Sequence, residues 1–198
     1  MFVTASGVKI PFPERIAEKY KLDERGLYAN VSFEKIRPLI EDFLDQLCEP
    51  LFLFIHLPLR EKEEKELFDK GADTFHAELL YLDGQTKKEI REIMKEHGDL
   101  LLNDGMVQFG IASHKSRDEI FIRKYKLVDI FSNDIKQYIP LMQKYDIVET
   151  EHLITVWNTF SKEHPGECSK VIINNQDIYD VVEMLKEKGM YQAKIVDD

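Results

Sequence analysis

The sequence predicts a single α+β domain spanning residues 1–198, with a largely antiparallel mixed sheet, a central β-meander and four to five helices. Three observations predict it. Short turn signals join neighbouring apolar runs. Stripes of helical period are interspersed with those runs and do not alternate with them. No Pro-, Gly- or Ser-rich linker divides the chain. The length of 198 residues, with 43% hydrophobic and 32% charged residues, suits one domain with a substantial core.

Taken in order, a short strand is expected within residues 2–10, broken by Pro11 and Pro13, and a short helix over 14–20 with Pro13 in its first turn. Residues 23–30 are polar, contain Gly26, and read as loop. Phe33, Ile36, Ile40, Phe43, Leu44 and Leu47 recur every three or four residues, which predicts a helix behind a Ser32 cap. Pro38 implies a distorted first turn or a start near Arg37.

Residues 51–57 are apolar on both faces of a strand, so a central, doubly covered position is expected. The charge-rich run 60–70 predicts a solvated helix stopped at Gly71. Residues 74–82 suit a strand, and Asp83-Gly84 a turn. Thr86 and Glu89 form a capping box that opens a helix with Ile90, Ile93, Met94 and His97 on one face, closed at Gly98.

The meander is expected at 100–102, 107–112 and 119–131, with Asn103-Asp104-Gly105 and the polar loop 114–118 as its turns. A helix capped by Asn133 or Asp134 and kinked at Pro140 follows. Residues 153–160 are rich in β-branched and aromatic side chains and predict a strand, with a short strand at 171–173 pairing back after Pro165-Gly166. Asp177 caps a last helix ending at Gly189, and residues 190–196 supply an edge strand.

The formal net charge of −10 and the pI near 5.2 disfavour nucleic-acid binding, which needs cations facing phosphates. The charge is uneven. From Asp146 onward eleven acids face five bases, whereas residues 115–126 hold five bases and two acids. The longest apolar run is too short to span a membrane, and the first residues lack the pattern of a signal peptide, so a cytoplasmic protein is expected. Cys48 and Cys168 are then reduced thiols.

Motifs of specific chemistry are sparse. His76 and Glu78 lie two apart on one predicted strand face, a spacing that suits an acid–base pair or two metal ligands. The zinc-deaminase pattern shares His-Ala-Glu but also needs Pro-Cys-x-x-Cys, and Pro165-Gly166-Glu167-Cys168 fails it. His114, in a polar loop before Glu119, is a second acid–base candidate. No phosphate-cradling glycine loop is present, and no metal or cofactor is implied.

The overall profile of modest size, acidity and absent catalytic motif is similar in type to that of many small acidic cytosolic bacterial proteins, immunity proteins among them, without a shared motif. It leads to an expected protein-binding module that docks a basic partner through Glu149, Glu151, Glu163, Glu167, Asp177 and Asp180. Two alternatives stand beside it. One is a small metal-dependent or acid–base hydrolase using His76 and Glu78 or His114. The other is a self-associating structural protein that pairs through the 190–196 edge.

Overall fold

The computed structural model describes residues 2–68 and 76–197. The described strands are β1 (Val8–Lys9), β2 (Lys19–Leu22), β3 (Gly26–Ala29), β4 (Leu51–Pro58), β5 (His76–Gln85), β6 (Gln108–Ser113), β7 (Glu119–Ile122), β8 (Val128–Phe131), β9 (Val148–Glu149), β10 (Glu167–Cys168) and β11 (Tyr191–Asp197). The helices are α1 (Phe33–Gln46), α2 (Glu61–Leu67), α3 (Lys87–Asn103), α4 (Ile139–Lys144) and α5 (Ile178–Glu187). Nine strands form one sheet in the order β11-β5-β4-β6-β7-β8-β3-β2-β9, and β1 pairs with β10 in a separate ribbon. Every pairing is antiparallel except β2 with β9. The α+β class and the central meander, β6-β7-β8, are as the sequence predicts.

Strand alternation divides the sheet into two unlike faces. Leu51, Leu53, Ile55 and Leu57 of β4, with Phe109, Ile111, Ile120, Ile122, Val128 and Ile130, join the buried side chains of α1, α3, α4 and α5 in one core. The alternate positions, Phe52, Phe54 and His56 on β4 and Phe121 on β7, point the other way. A covering layer was expected on both sides of β4; among the described residues, neighbouring rings cover part of its second face.

Several local expectations are also corrected. Residues 100–102 are helical, because α3 runs through Gly98, which lies beneath the Arg37 guanidinium; Arg37 Nη1 donates to Met94 O at 2.9 Å. The span 119–131 is two strands separated by a 3₁₀ turn, Lys124–Lys126, so the meander begins one strand later. Residues 19–29 form a hairpin where a helix and a loop were expected. Tyr20 is buried between exposed Lys19 and Lys21, and Asp23 Oδ1 accepts from the amides of Arg25 and Gly26 in the turn. α1 continues through Pro38, whose missing N–H falls on the solvent side. Pro140 opens α4 and does not kink it.

Residues 153–160 make a 3₁₀ turn, Val156–Thr159, in place of a strand. The Thr155–Asn158 capping box and the Thr159 Oγ1 bond to Val156 O at 2.7 Å outweigh β-propensity there. Residues 171–173 form no strand; Ile173 makes one isolated bridge, to Gln176. The expected stop at Gly71 and the strand start at Thr74 lie outside the described residues. No described helix is long and apolar enough to cross a membrane.

Candidate functional site

The second face of the sheet is an aromatic surface running from one edge toward the other. Tyr191 of β11 faces Tyr81 of β5, with centroids 6.3 Å apart, and Tyr81 lies 5.7 Å from Phe52 and 6.1 Å from Phe54. Phe54 contacts Phe121 at 5.2 Å, and Phe131 meets Tyr28 edge-on at 6.0 Å. Phe54 crosses β6 above Gly110. A Cβ at that position would fall 2.2 Å from Phe54 Cζ and 2.6 Å from Ile120 O, so glycine lets the rings close over the strand. Phe52, Leu79, Tyr81, Phe121, Phe131 and Tyr28 remain half-buried. Half-exposed aromatics gathered on one flat face are the composition of a contact surface.

Carboxylates are set into this face. A bulge places Asp83 and Gly84 (φ +73°) opposite Phe52, where a turn was expected. Asp83 Oδ1 lies 2.9 Å from His114 Nε2, and Asp83 Oδ2 accepts from the Tyr191 hydroxyl at 2.6 Å. His114 also lies 4.5 Å from the Phe52 ring. His114 and Glu119 share a shallow cleft of about 310 Å³ with Phe52 and Arg117. Burial, with Asp129 nearby, pushes the Glu119 carboxyl above its ordinary value. Burial also raises Asp129, although Arg123 Nη1 donates to it at 3.1 Å. The structure thus brings His114 and Glu119 together, on a surface and not in an enclosed pocket.

His76 and Glu78 are not partners. His76 Nδ1 lies 2.6 Å from Glu64 Oε1 of α2, its ring stacks on Phe68 at 3.5 Å, and its Nε2 faces Asp197 Oδ1 at 3.7 Å. Glu78 is raised by burial, and its charged neighbours are Lys186 and Glu183 of α5 with Glu63 and Arg60. Sequence reasoning missed Glu64 because it lay in a run of alternating charges that reads as a wet helix face.

His76 and Glu64 border the largest described pocket, about 500 Å³, whose other walls include Pro58, Leu59, Met106, Tyr125, Trp157 and Cys168. Burial pushes the Cys168 thiol up, and its hydrogen-bonding neighbour is Tyr125. A thiol held protonated in this way is a poor nucleophile. Among the described residues, no three His, Cys, Asp or Glu side chains gather to hold a metal ion.

The six acidic candidates are scattered. Glu149 accepts from Tyr20 OH at 3.3 Å on the β9 edge, next to exposed Glu151. Glu163 is exposed, and Glu167 pairs with Lys9 at 3.2 Å beside the β1–β10 ribbon. Asp177 caps α5, and Asp180 Oδ2 accepts from the Asp177 amide at 2.9 Å in the same capping box. These two lie with the helical layer, and Glu149, paired in register with the core residue Tyr20, faces that layer too. Comparison with known protein families, curated proteins and solved structures finds no match for the chain.

Proposed function

We propose that this protein is a binding module that docks a basic protein on its open aromatic sheet face. The observation that carries the reading is the stripe Tyr191–Tyr81–Phe52–Phe54–Phe121, whose recorded ring contacts are with side chains of the same face. Rigid aromatics supply contact area at small entropic cost, and such residues dominate interface energetics. The charge of the partner follows from the carboxylates on that face. Asp83 stands at one end and Glu119 and Asp129 in the middle, in a chain of net charge −10.

Ionisation of Glu119 and Asp129 is opposed by burial in the free protein. A partner cation delivered there relieves that penalty, which rewards a basic surface over a neutral one. The immunity-type reading is the finer form of this proposal: the docked partner is a basic enzyme whose active site the face covers. The hydrolase alternative, built on His76 and Glu78 or on His114, has less support: both His76 ring nitrogens already face carboxylates, and burial raises the Cys168 thiol of the adjoining pocket.

The test is a pull-down from the source cell's lysate with wild type, Phe121→Glu and Asp180→Lys as baits, at low and moderate salt. The expected result is one basic protein in equimolar amount on wild type and Asp180→Lys, reduced by salt and absent from Phe121→Glu. A partner kept by Phe121→Glu, or retained independently of salt, would overturn the proposal. A second copy of the chain bound along the exposed β11 edge would appear as a doubled native mass and would favour self-association instead.

A further inference from the structure

The 500 Å³ pocket lies off the aromatic face, at the end of the sheet where β4 leaves and β5 enters. Its walls come from segments far apart in the chain: the end of β4, α2, the start of β5, the β7–β8 turn, the 3₁₀ turn after Thr155, and β10. A cavity of this size, mostly apolar with a few convergent polar groups, is the usual form of a small-molecule site.

Two rings define what it accepts. Trp157 is 47% exposed, yet it is held in place. It meets Tyr125 edge-on at 4.8 Å and 89°, and Phe160 at 5.4 Å and 66°. An indole fixed by such edge contacts presents its exposed remainder as a platform, and the group that covers a π face best is another flat ring. Tyr125 reaches the pocket through strained backbone. It stands at φ +58° and Lys126 after it at φ +59°, two successive left-handed residues that are not glycine. Such strain persists only where surroundings hold it, and it gathers at ligand sites. Here Lys126 Nζ holds it, donating to Leu101 O and Val107 O at 3.1 Å each.

The charged side chains bordering the pocket already have partners within the protein. Glu64 contacts His76, Glu61 pairs with Lys65, and Lys124 has its own interaction. A charged ligand would have to compete with these partners to gain a counter-ion, whereas an uncharged one needs only the polar edge of Glu64 and His76 for a hydrogen bond. We infer that this pocket binds an uncharged, planar fused-ring compound of about nucleobase size, stacked on Trp157 and Tyr125. The inference is independent of the docking face.

Trp157 is the single tryptophan of the chain, so its signals report the pocket. The whole protein is titrated with adenine and quinoxaline as uncharged planar probes, cyclohexanecarboxamide as a non-planar probe and adenosine monophosphate as a charged planar probe. Trp157 emission and its single indole N–H cross-peak are both followed. The expected result is saturable change with at least one uncharged planar probe, with a dissociation constant below about 1 mM, and at least tenfold weaker binding of the other two. Trp157→Ala, followed by calorimetry, is expected to weaken the planar probe at least tenfold with an unchanged far-ultraviolet spectrum. No saturable response to either planar probe, an equal response to the non-planar or charged one, or undiminished binding by Trp157→Ala would overturn the inference. If Trp157→Ala does not fold, the indole cross-peak in wild type decides alone: a saturable shift supports the site and none refutes it.

Discussion

Raising the pH from 7 to 9 should stabilise this protein through one side chain, Lys126. Its ammonium is fully buried, and burial pulls its pKa down from 10.5 to about 8, with Asp104 and Cys168 opposing the drop. In the unfolded chain the ordinary value near 10.5 returns. Below pH 8 the lysine is charged in both states, so the folded state bears the whole penalty of burying the charge. As pH rises past 8 the folded state sheds the proton first. Unfolding must then take a proton up, and stability increases until about pH 10.5. The gap between 10.5 and about 8 corresponds to about 3 kcal/mol in full. Between pH 7 and pH 9 it yields about 1 kcal/mol, or roughly 2–4 °C in Tm for a chain of this size.

Cys168 works against this. Burial raises its thiol, so the unfolded chain loses that proton first and stability falls through the same range. The assay therefore compares Cys168→Ser with Cys168→Ser/Lys126→Met by urea denaturation at pH 7, 8 and 9, so that the thiol, whose titration Lys126 itself influences, is absent from both. The protein that keeps Lys126 is expected to gain about 1 kcal/mol relative to the other over that range. Parallel pH profiles for the two proteins would refute the reasoning, because the lysine would then titrate alike folded and unfolded.

Gly110→Ala should destabilise the fold by about 2 kcal/mol in chemical denaturation, since the new methyl meets Phe54 and the Ile120 carbonyl at once. It should also lift the Phe54 ring and weaken partner binding. Glu119→Gln should raise the Tm of the free protein at pH 7, because burial opposes ionisation of this carboxyl. That gain should shrink as the wild-type carboxyl protonates in acid, while affinity for the basic partner drops at least tenfold at pH 7. Asp177→Ala should cost about 1 kcal/mol of stability through the lost cap of α5, with partner affinity unchanged.

The sequence made some of these features legible and hid others for identifiable reasons. Capping signals are local, so the Thr86–Glu89 box and the Asp177 cap could be read directly, and the helices they open begin where they were expected, although α3 runs past Gly98. The meander was visible because its turns and apolar alternation are also local. Its first strand was misplaced because Leu100, Leu101 and Leu102 suit a strand as well as a helix, and only contacts with α1 and α5 make them helical. Residues 19–29 were misread because a four-residue strand with one buried side chain carries little pattern.

The site was less legible than the fold. His76 and His114 were picked out, but their carboxylate partners, Glu64 and Asp83, were not, since each contact is made by tertiary structure. The aromatic face was hidden because half of a central strand's side chains look like core in sequence. Phe52, Phe54 and Tyr81 gave no sign that they meet one another on the sheet face away from the helices. Acidity was visible as a total, but its placement was not: Glu149 faces the core residue Tyr20, Asp177 and Asp180 cap α5, and Glu167 pairs with Lys9.

The most direct measurement is site-specific photo-crosslinking. p-Benzoylphenylalanine is placed at Phe121, in the middle of the aromatic face, and at exposed Lys95 on α3 in the opposite layer. Each protein is irradiated in the source cell and the adducts are read by mass spectrometry. Docking on the sheet face requires an adduct to one basic protein from position 121 and none to that protein from position 95. An adduct from position 95 with none from position 121 would contradict it and move the contact surface to the helices.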